Sequence, residues 1–216
     1  MGDLALAVRL ARRELRAGLA GFRIFIACLA LGVAAIAGVG SLAAAVDAGL
    51  RIDGRALLGG DIELRLVHRP ALPQERAWLV AHGAVSTVAQ MRAIAHNPAN
   101  QRRTLVELKA VDAAYPLYGR VTLAPAAPLA SALAERDGRF GAVVESSLLD
   151  RLGVKIGEPL TVGDATVEVR GAIDSEPDRG SGGLTLGPRL MIAGAALPAT
   201  GLIQPGSLIT WAYRVR

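Results

Sequence analysis

The chain has 216 residues, 52% hydrophobic and 20% charged, with a mean hydropathy of +0.38, which excludes a disordered polymer and is high for a soluble domain. Only 4% of residues are aromatic, while Gly and Pro number 25 and 11, so the apolar content is small and aliphatic, with few large anchors for a deep ligand pocket. The net charge of +5 rests on arginines scattered along the chain, with Lys109 and Lys155 the only lysines, which argues against a nucleic-acid patch; the single cysteine, Cys28, excludes an internal disulfide and a cysteine metal cluster.

The first predicted element is an amphipathic helix. Leu4, Val8, Ala11, Leu15, Leu19 and Phe22 recur at steps of three and four, and Arg9, Arg12, Arg13 and Arg16 fall on the opposite side, the pattern of a helix lying in a membrane interface. Gly18 and Gly21 mark a joint where the chain turns into the bilayer. From Ile24 to Val46 there are 23 consecutive uncharged residues, bounded by Arg23 and Asp47. As a helix they reach about 35 Å, enough to cross a hydrocarbon core of about 30 Å. A cleaved signal peptide is the competing reading, since the basic start fits and Ala43-Ala44-Ala45 passes as a cleavage site, but the run exceeds the roughly 7 to 15 apolar residues of such a signal. Five arginines in residues 9–23, against Arg51 and Arg55 beyond the span, place the N-terminus in the cytoplasm and residues 47–216 outside. Within the span, Ala30, Ala34 and Gly38 repeat every four residues, with Ala37 and Ser41 nearby, a small-residue face that lets another helix approach closely; an alanine-rich composition alone also produces such a face.

Beyond the span, Asp47 to Leu58 continues as a helix that Gly59-Gly60 ends. Ile62, Leu64 and Leu66 alternate with Asp61, Glu63 and Arg65 in a half-buried strand, and Pro73 to His82 reads as a helix with Gly83 past its end. Val85 to Ala95 and Thr104 to Val111 are strands joined by the turn His96-Asn97-Pro98-Ala99-Asn100. The order β-α-β-β predicts an α+β layer with a mostly antiparallel sheet. A loop with Tyr115, Pro116 and Tyr118 leads past Pro125 and Pro128 to a subdomain boundary. Val143 to Gly153 then gives a strand end and a short helix capped by Ser146 or Ser147 and stopped by Gly153. Leu160 to Val162, the turn Gly163-Asp164, and Val167 and Val169 form a hairpin; Glu176 to Gly187 is a Gly-rich loop, and Thr210 to Val215 a last strand.

The arginine-rich start, the single span, the Leu57-Leu58-Gly59-Gly60-Asp61-Ile62-Glu63-Leu64 exit and the VVESSLLDRLGVKIGEPLTV block resemble the N-terminal part of bacterial ABC transporter permeases of the FtsX-like, MacB-type class. Leu186-Gly187-Pro188-Arg189 and the Ala199 to Ser207 stretch are similar to the large duplicated permeases of that class, which work with a separate ATPase subunit. The resemblance covers essentially the whole chain and implies an α+β fold in which a first membrane helix carries an extracytoplasmic domain of two lobes. Residues 1–23 are then a cytoplasmic interfacial elbow and residues 24–46 the transmembrane helix. Residues 47–113 with 210–216 form an incomplete split β-α-β lobe, and residues 114–209 a β-rich inserted lobe. Permeases of this class have further membrane helices, so the chain is expected to be an N-terminal fragment or a truncated gene product. The implied partners are an ABC ATPase subunit, the other transmembrane helices of the permease and the lipid bilayer of the bacterial inner membrane, with no nucleic acid.

No catalytic, cofactor or metal site is assigned from the sequence. His68, His82 and His96 are spaced 14 apart but sit at a strand exit, a helix end and a turn, without helical pairing or neighbouring carboxylates of ligand spacing. Ser181 lacks the strand-to-helix elbow of a nucleophile. Gly180 to Gly183 lacks the Gly-Lys-Ser/Thr ending of a phosphate loop and reads as a mobile hairpin tip, so ATP is expected only on the partner subunit. Glu145, Asp150, Asp174, Glu176 and Asp178 contain no pair that spacing places across a substrate, and a solvated loop accounts for the last three. Two functions follow: a non-enzymatic permease subunit coupling a partner ATPase to the outer domain, or a single-pass membrane-anchored binding module, with a cleaved, secreted domain third.

Overall fold

The computed structural model describes residues 3–17, 19–179 and 187–216. The chain divides into two compact units, residues 1–52 and 53–216.

The first unit is helical. Helix α1 spans Asp3–Ala17 and helix α2 starts at Leu19 and runs to Leu58. Of the two glycines expected at a joint, Gly18 lies outside the described residues and Gly21 is inside α2. A helix carries one glycine at a cost of about 1 kcal/mol, and α2 runs through Gly21 without a break. Within α2 the stretch Phe22–Asp47 is long and apolar enough to cross a membrane, and none of it is buried inside the chain. Large apolar side chains such as Ile24, Leu31 and Ile36 are exposed, as a helix meant for lipid requires.

The second unit opens on the last turn of α2, which ends where Gly59 takes φ +76°, a left-handed conformation that glycine adopts without strain. Strand β1 (Ile62–Val67), helix α3 (Pro73–Ala81) and strands β2 (Val85–His96) and β3 (Arg103–Val111) follow. Next come β4 (Thr122–Ala124), α4 (Leu129–Leu133), β5 (Glu135–Arg136), β6 (Arg139–Glu145), α5 (Ser146–Leu152), β7 (Pro159–Val162), β8 (Ala165–Ser175), β9 (Arg189–Ala193) and β10 (Ile209–Val215). Eight strands form one path, β1-β10-β2-β3-β9-β6-β8-β4, with β5 on β6 and β7 bridging β2 and β8. The pairs β3–β9 and β6–β8 are parallel and the others antiparallel. The α+β reading holds.

Alternation along the strands builds two apolar layers. One face presents Ala89, Leu108, Ala110, Leu190 and Ile192 to Leu148 and Leu152 of α5, each leucine contributing about 1.5–3 kcal/mol by burial. Leu79 of α3 covers Tyr213 and Val215 further along. The other face presents Val88, Val111, Met191 and Ala212 to Tyr115, Val121, Leu123 and the α4 residues Ala132 and Leu133.

Several expectations change. The stretch read as loop before Pro128 contains β4, and β9 lies where only a motif was noted. Four of the five β9 residues are wholly buried, so this central strand reads as a short apolar run without the alternation that reveals half-buried strands. His96 belongs to β2, not to the turn, and His82 is the C-cap of α3. At α5 the N-cap position is Glu145, with Ser146 and Ser147 in the first turn and no side-chain cap bond. The Glu145 carboxylate is engaged elsewhere, by the Arg189 backbone N–H at 3.2 Å and Arg179 at 2.7 Å. Gly153 stops α5 at φ +60° as expected.

Candidate functional site

The second face of the sheet carries a buried network of charges. On β3, Glu107, Lys109 and Val111 point the same way, and Lys109 lands fully buried beneath the loop after β8. Its Nζ donates to Glu176 Oε1 at 2.5 Å, to both Asp178 carboxylate oxygens at 2.8 Å and to the Tyr115 hydroxyl at 2.9 Å. The Tyr115 hydroxyl in turn donates to Asp178 Oδ1 at 2.6 Å. Lys109 thus pins the Glu176-Pro177-Asp178 turn onto the sheet.

Two arginines extend the network along the sheet. Arg189 of β9 donates from Nε to Glu176 Oε2 at 3.1 Å. Its Nη1 lies 3.0 Å from Glu107 Oε2, across the register pair Glu107↔Arg189. That contact is an ion pair without hydrogen-bond geometry, so its attraction is Coulombic alone. Arg214 of β10 donates from Nη1 to Asp178 Oδ2 and from Nε to Glu63 Oε2 at 2.9 Å, Glu63 being its register partner on β1. The Arg214 side chain also closes on the exit of α2: a Cβ placed on Gly59 would stand 3.0 Å from Arg214 Nη1, and one on Gly60 3.0 Å from Arg214 Cβ. A continuous run of charges therefore reaches from Gly59-Gly60 through Arg214, Asp178, Lys109 and Glu176 to Arg189.

Protonation follows from these contacts. Burial would raise the Asp178 carboxyl, but Lys109 and Arg214 outweigh it and hold the group at about 2. Burial pulls the Lys109 ammonium below its ordinary value, against the opposing pull of Glu176 and Asp178. Tyr115 is pushed well above the usual phenol range, by burial first and then by the two carboxylates, so it stays a neutral donor. Arg214 is raised because Asp178 and Glu63 exceed the cost of its burial. With each carboxylate matched to a cation and the cluster closed from solvent, the arrangement suits holding elements in register better than acid–base chemistry.

The family model of the MacB-like periplasmic core domain matches residues 24–209. The chain belongs to this family. It is 32% identical over 193 residues to an uncharacterized ABC transporter permease, YbbP, of Escherichia coli (strain K12), covering 86% of this chain and 22% of that protein. The chain thus spans 22% of the length of this curated relative. Among solved structures, the extracellular domain of the noncanonic ABC-type transporter YknZ from Gram-positive bacteria is 14% identical, over 64% of this chain and 67% of that one, with a TM-score of 0.40. The periplasmic region of MacB from Actinobacillus actinomycetemcomitans is 10% identical, over 74% of this chain and 77% of that one, with a TM-score of 0.39.

In this MacB-like periplasmic core domain the three histidines stay apart in their bonding. His68 Nδ1 meets the Ser207 carbonyl at 3.2 Å, His82 Nδ1 meets the Trp78 carbonyl at 2.7 Å with its ring stacked on Trp78, and His96 Nε2 meets Gln101 Oε1 at 3.2 Å. Among the described residues no group of three or more His, Cys, Asp or Glu is arranged to hold a metal ion. Ser181 and Gly180 to Gly183 lie outside the described residues. Asp150 and Asp174 are exposed. The solvated-loop reading is overturned for Glu176 and Asp178, which are buried because Lys109, Arg189 and Arg214 supply cations from the sheet. Sequence reasoning missed those three cations. A signal was present for Lys109, one of only two lysines, which stands between Leu108 and Ala110 and in phase with Val111 at the apolar end of its strand.

Proposed function

We propose that the chain is the N-terminal part of a permease subunit of an FtsX-like, MacB-type ABC transporter, with its N-terminus in the cytoplasm and residues 47–216 outside. A separate ATPase subunit binds and hydrolyses ATP, and this chain performs no enzymatic step. Nucleotide-driven motion reaches α2 and leaves it at Gly59-Gly60, where Arg214 receives it. The outer domain divides into a lobe of residues 47–113 with 210–216 and an inserted lobe of residues 114–209. That division is supported by the sheet order, in which β1, β10, β2 and β3 are contiguous and meet the remaining strands of the path at the β3–β9 pair.

The observation that carries the reading is the ion network, since it spans both lobes and starts at the helix exit. Arg214 belongs to the first lobe and Asp178, Glu176 and Arg189 to the inserted one, so a displacement at Gly59 is opposed by buried charge pairs and moves both lobes as a unit. The test is reconstitution of the full-length permease with its ATPase in proteoliposomes. Wild-type permease is expected to stimulate ATP hydrolysis, and Arg214→Met at equal membrane levels to lose most of that stimulation. Equal stimulation by both proteins contradicts the coupling role, and a permease that neither binds nor stimulates any ATPase favours the anchored binding module.

A further inference from the structure

The loop between β3 and β4 makes a second bridge from the helix exit to the ion network. The Tyr118 hydroxyl donates to Asp61 Oδ2 at 2.8 Å. Asp61 follows Gly60 directly and is fastened to the sheet by its own N–H, which donates to the Val215 carbonyl at 2.8 Å. The Arg216 guanidinium lies over the Tyr118 ring, 5.1 Å from its centroid, and donates to the Leu117 carbonyl at 3.3 Å. Tyr118 is thereby held by the residue before β1 and the residue after β10.

One position further on, the same loop meets the turn that carries the carboxylates of the network. Gly119 sits at φ +76°, and a Cβ placed on it would stand 2.6 Å from Pro177 Cβ, an approach that glycine allows because it has no side chain. Pro177 lies between Glu176 and Asp178. From inside the domain Tyr115, at the start of the same loop, donates to Asp178 Oδ1 at 2.6 Å. One loop therefore touches the turn twice, on a carboxylate through Tyr115 and on the proline through Gly119.

The two bridges differ in burial. Arg214 and Asp178 pair in a closed site, their side chains 2% and 1% accessible, whereas Asp61 and Arg216 are exposed and Tyr118 is half-buried. A bond to an exposed carboxylate competes with water and opens more readily than a buried charge pair. We propose that Tyr118 is a positioning residue of the coupling route, an exposed and reversible tie that makes the α2 exit and the Glu176-Pro177-Asp178 turn move together in parallel with Arg214. The inference rests on the coupling reading of the ion network.

The test has two readouts. In the full chain in detergent, hydrogen exchange at the Glu176 and Asp178 amides reports the turn. Tyr118→Phe keeps the ring beneath Arg216 and removes only the hydroxyl. It is expected to speed exchange there by about two- to tenfold, the range of one hydrogen bond, with the melting temperature unchanged. Asp61→Ala gives the same rise and the double variant no more, because both remove one bond; Asp61→Asn, whose amide oxygen still accepts, exchanges as wild type. In the full-length permease reconstituted with its ATPase, Tyr118→Phe lowers stimulated hydrolysis and Asp61→Asn keeps it. Faster exchange confined to the Leu117 to Gly119 amides, or additive effects in the double variant, overturns the proposal. Stimulation lost in Arg214→Met and kept in Tyr118→Phe overturns this inference alone, and stimulation kept in both overturns the coupling reading beneath it.

Discussion

Replacing Lys109 by Met removes one ammonium from the centre of the ion network and keeps the side chain's apolar length. That ammonium is fully buried and touches Glu176 at 2.5 Å, Asp178 at 2.8 Å and Tyr115 at 2.9 Å. Without it, Glu176 keeps Arg189, and Asp178 keeps Arg214 and the Tyr115 hydroxyl, but the charge between the two carboxylates is gone. Deleting one partner of a buried pair costs about 3–5 kcal/mol, and the surviving arginines argue for the lower end. At about 2–4 °C per kcal/mol for a domain of this size, about 3 kcal/mol lowers the melting temperature by about 6–12 °C. The assay is thermal unfolding of the full chain in detergent, followed by near-ultraviolet circular dichroism. Adding Glu176→Gln to Lys109→Met is expected to recover about half of the loss, because it removes one of the two stranded charges. A Lys109→Met protein that melts within about 2 °C of wild type refutes the claim that these charges hold the domain.

The other predictions rest on separate features. In a Cys28→Ser background, a membrane-impermeant thiol reagent on spheroplasts labels Arg120→Cys and leaves Arg12→Cys untouched; the reverse pattern inverts the topology, and a shorter soluble product identifies a signal peptide. Asp178, lowered from about 3.8 to about 2, contributes about 2 kcal/mol that is present above pH 4 and lost as pH falls toward 2; denaturant titrations between pH 5 and 2 should show that slope shrink in Asp178→Asn. Gly59→Ala places a Cβ 3.0 Å from Arg214 Nη1 at φ +76°, which should destabilise the outer domain by about 1–2 kcal/mol, read as a lower denaturation midpoint; an unchanged midpoint would show that Arg214 yields freely.

What could be read from the sequence was local. Ile62, Leu64 and Leu66 announce β1 by alternation, Gly59-Gly60 the end of α2, and Gly163-Asp164 the β7–β8 hairpin, because each depends on residues a few positions apart. The ion network was illegible for the opposite reason. Lys109, Asp178 and Arg214 are separated by 69 and 36 positions and meet only because β10 inserts between β1 and β2 while β9 runs parallel to β3. Glu176-Pro177-Asp178 reads as surface turn chemistry until the cations beneath it are known. The strand β9 was hidden by the burial of four of its five residues, which removes the alternation that would have announced it.

The central claim is that motion leaving the membrane helix passes through Arg214 and the buried charges to the inserted lobe. Spin labels at Leu58→Cys and Asp174→Cys, both exposed, in the Cys28→Ser full-length permease reconstituted with its ATPase, report it as a distance. The account predicts that the Leu58–Asp174 distance distribution in wild type stays narrow and unchanged when the ATP-bound state is trapped, because the charges carry both lobes with the helix exit, and that Arg214→Met broadens the distribution and lets it shift with nucleotide. A wild-type distribution that shifts with nucleotide, or an Arg214→Met distribution as narrow and unshifted as wild type, would contradict it.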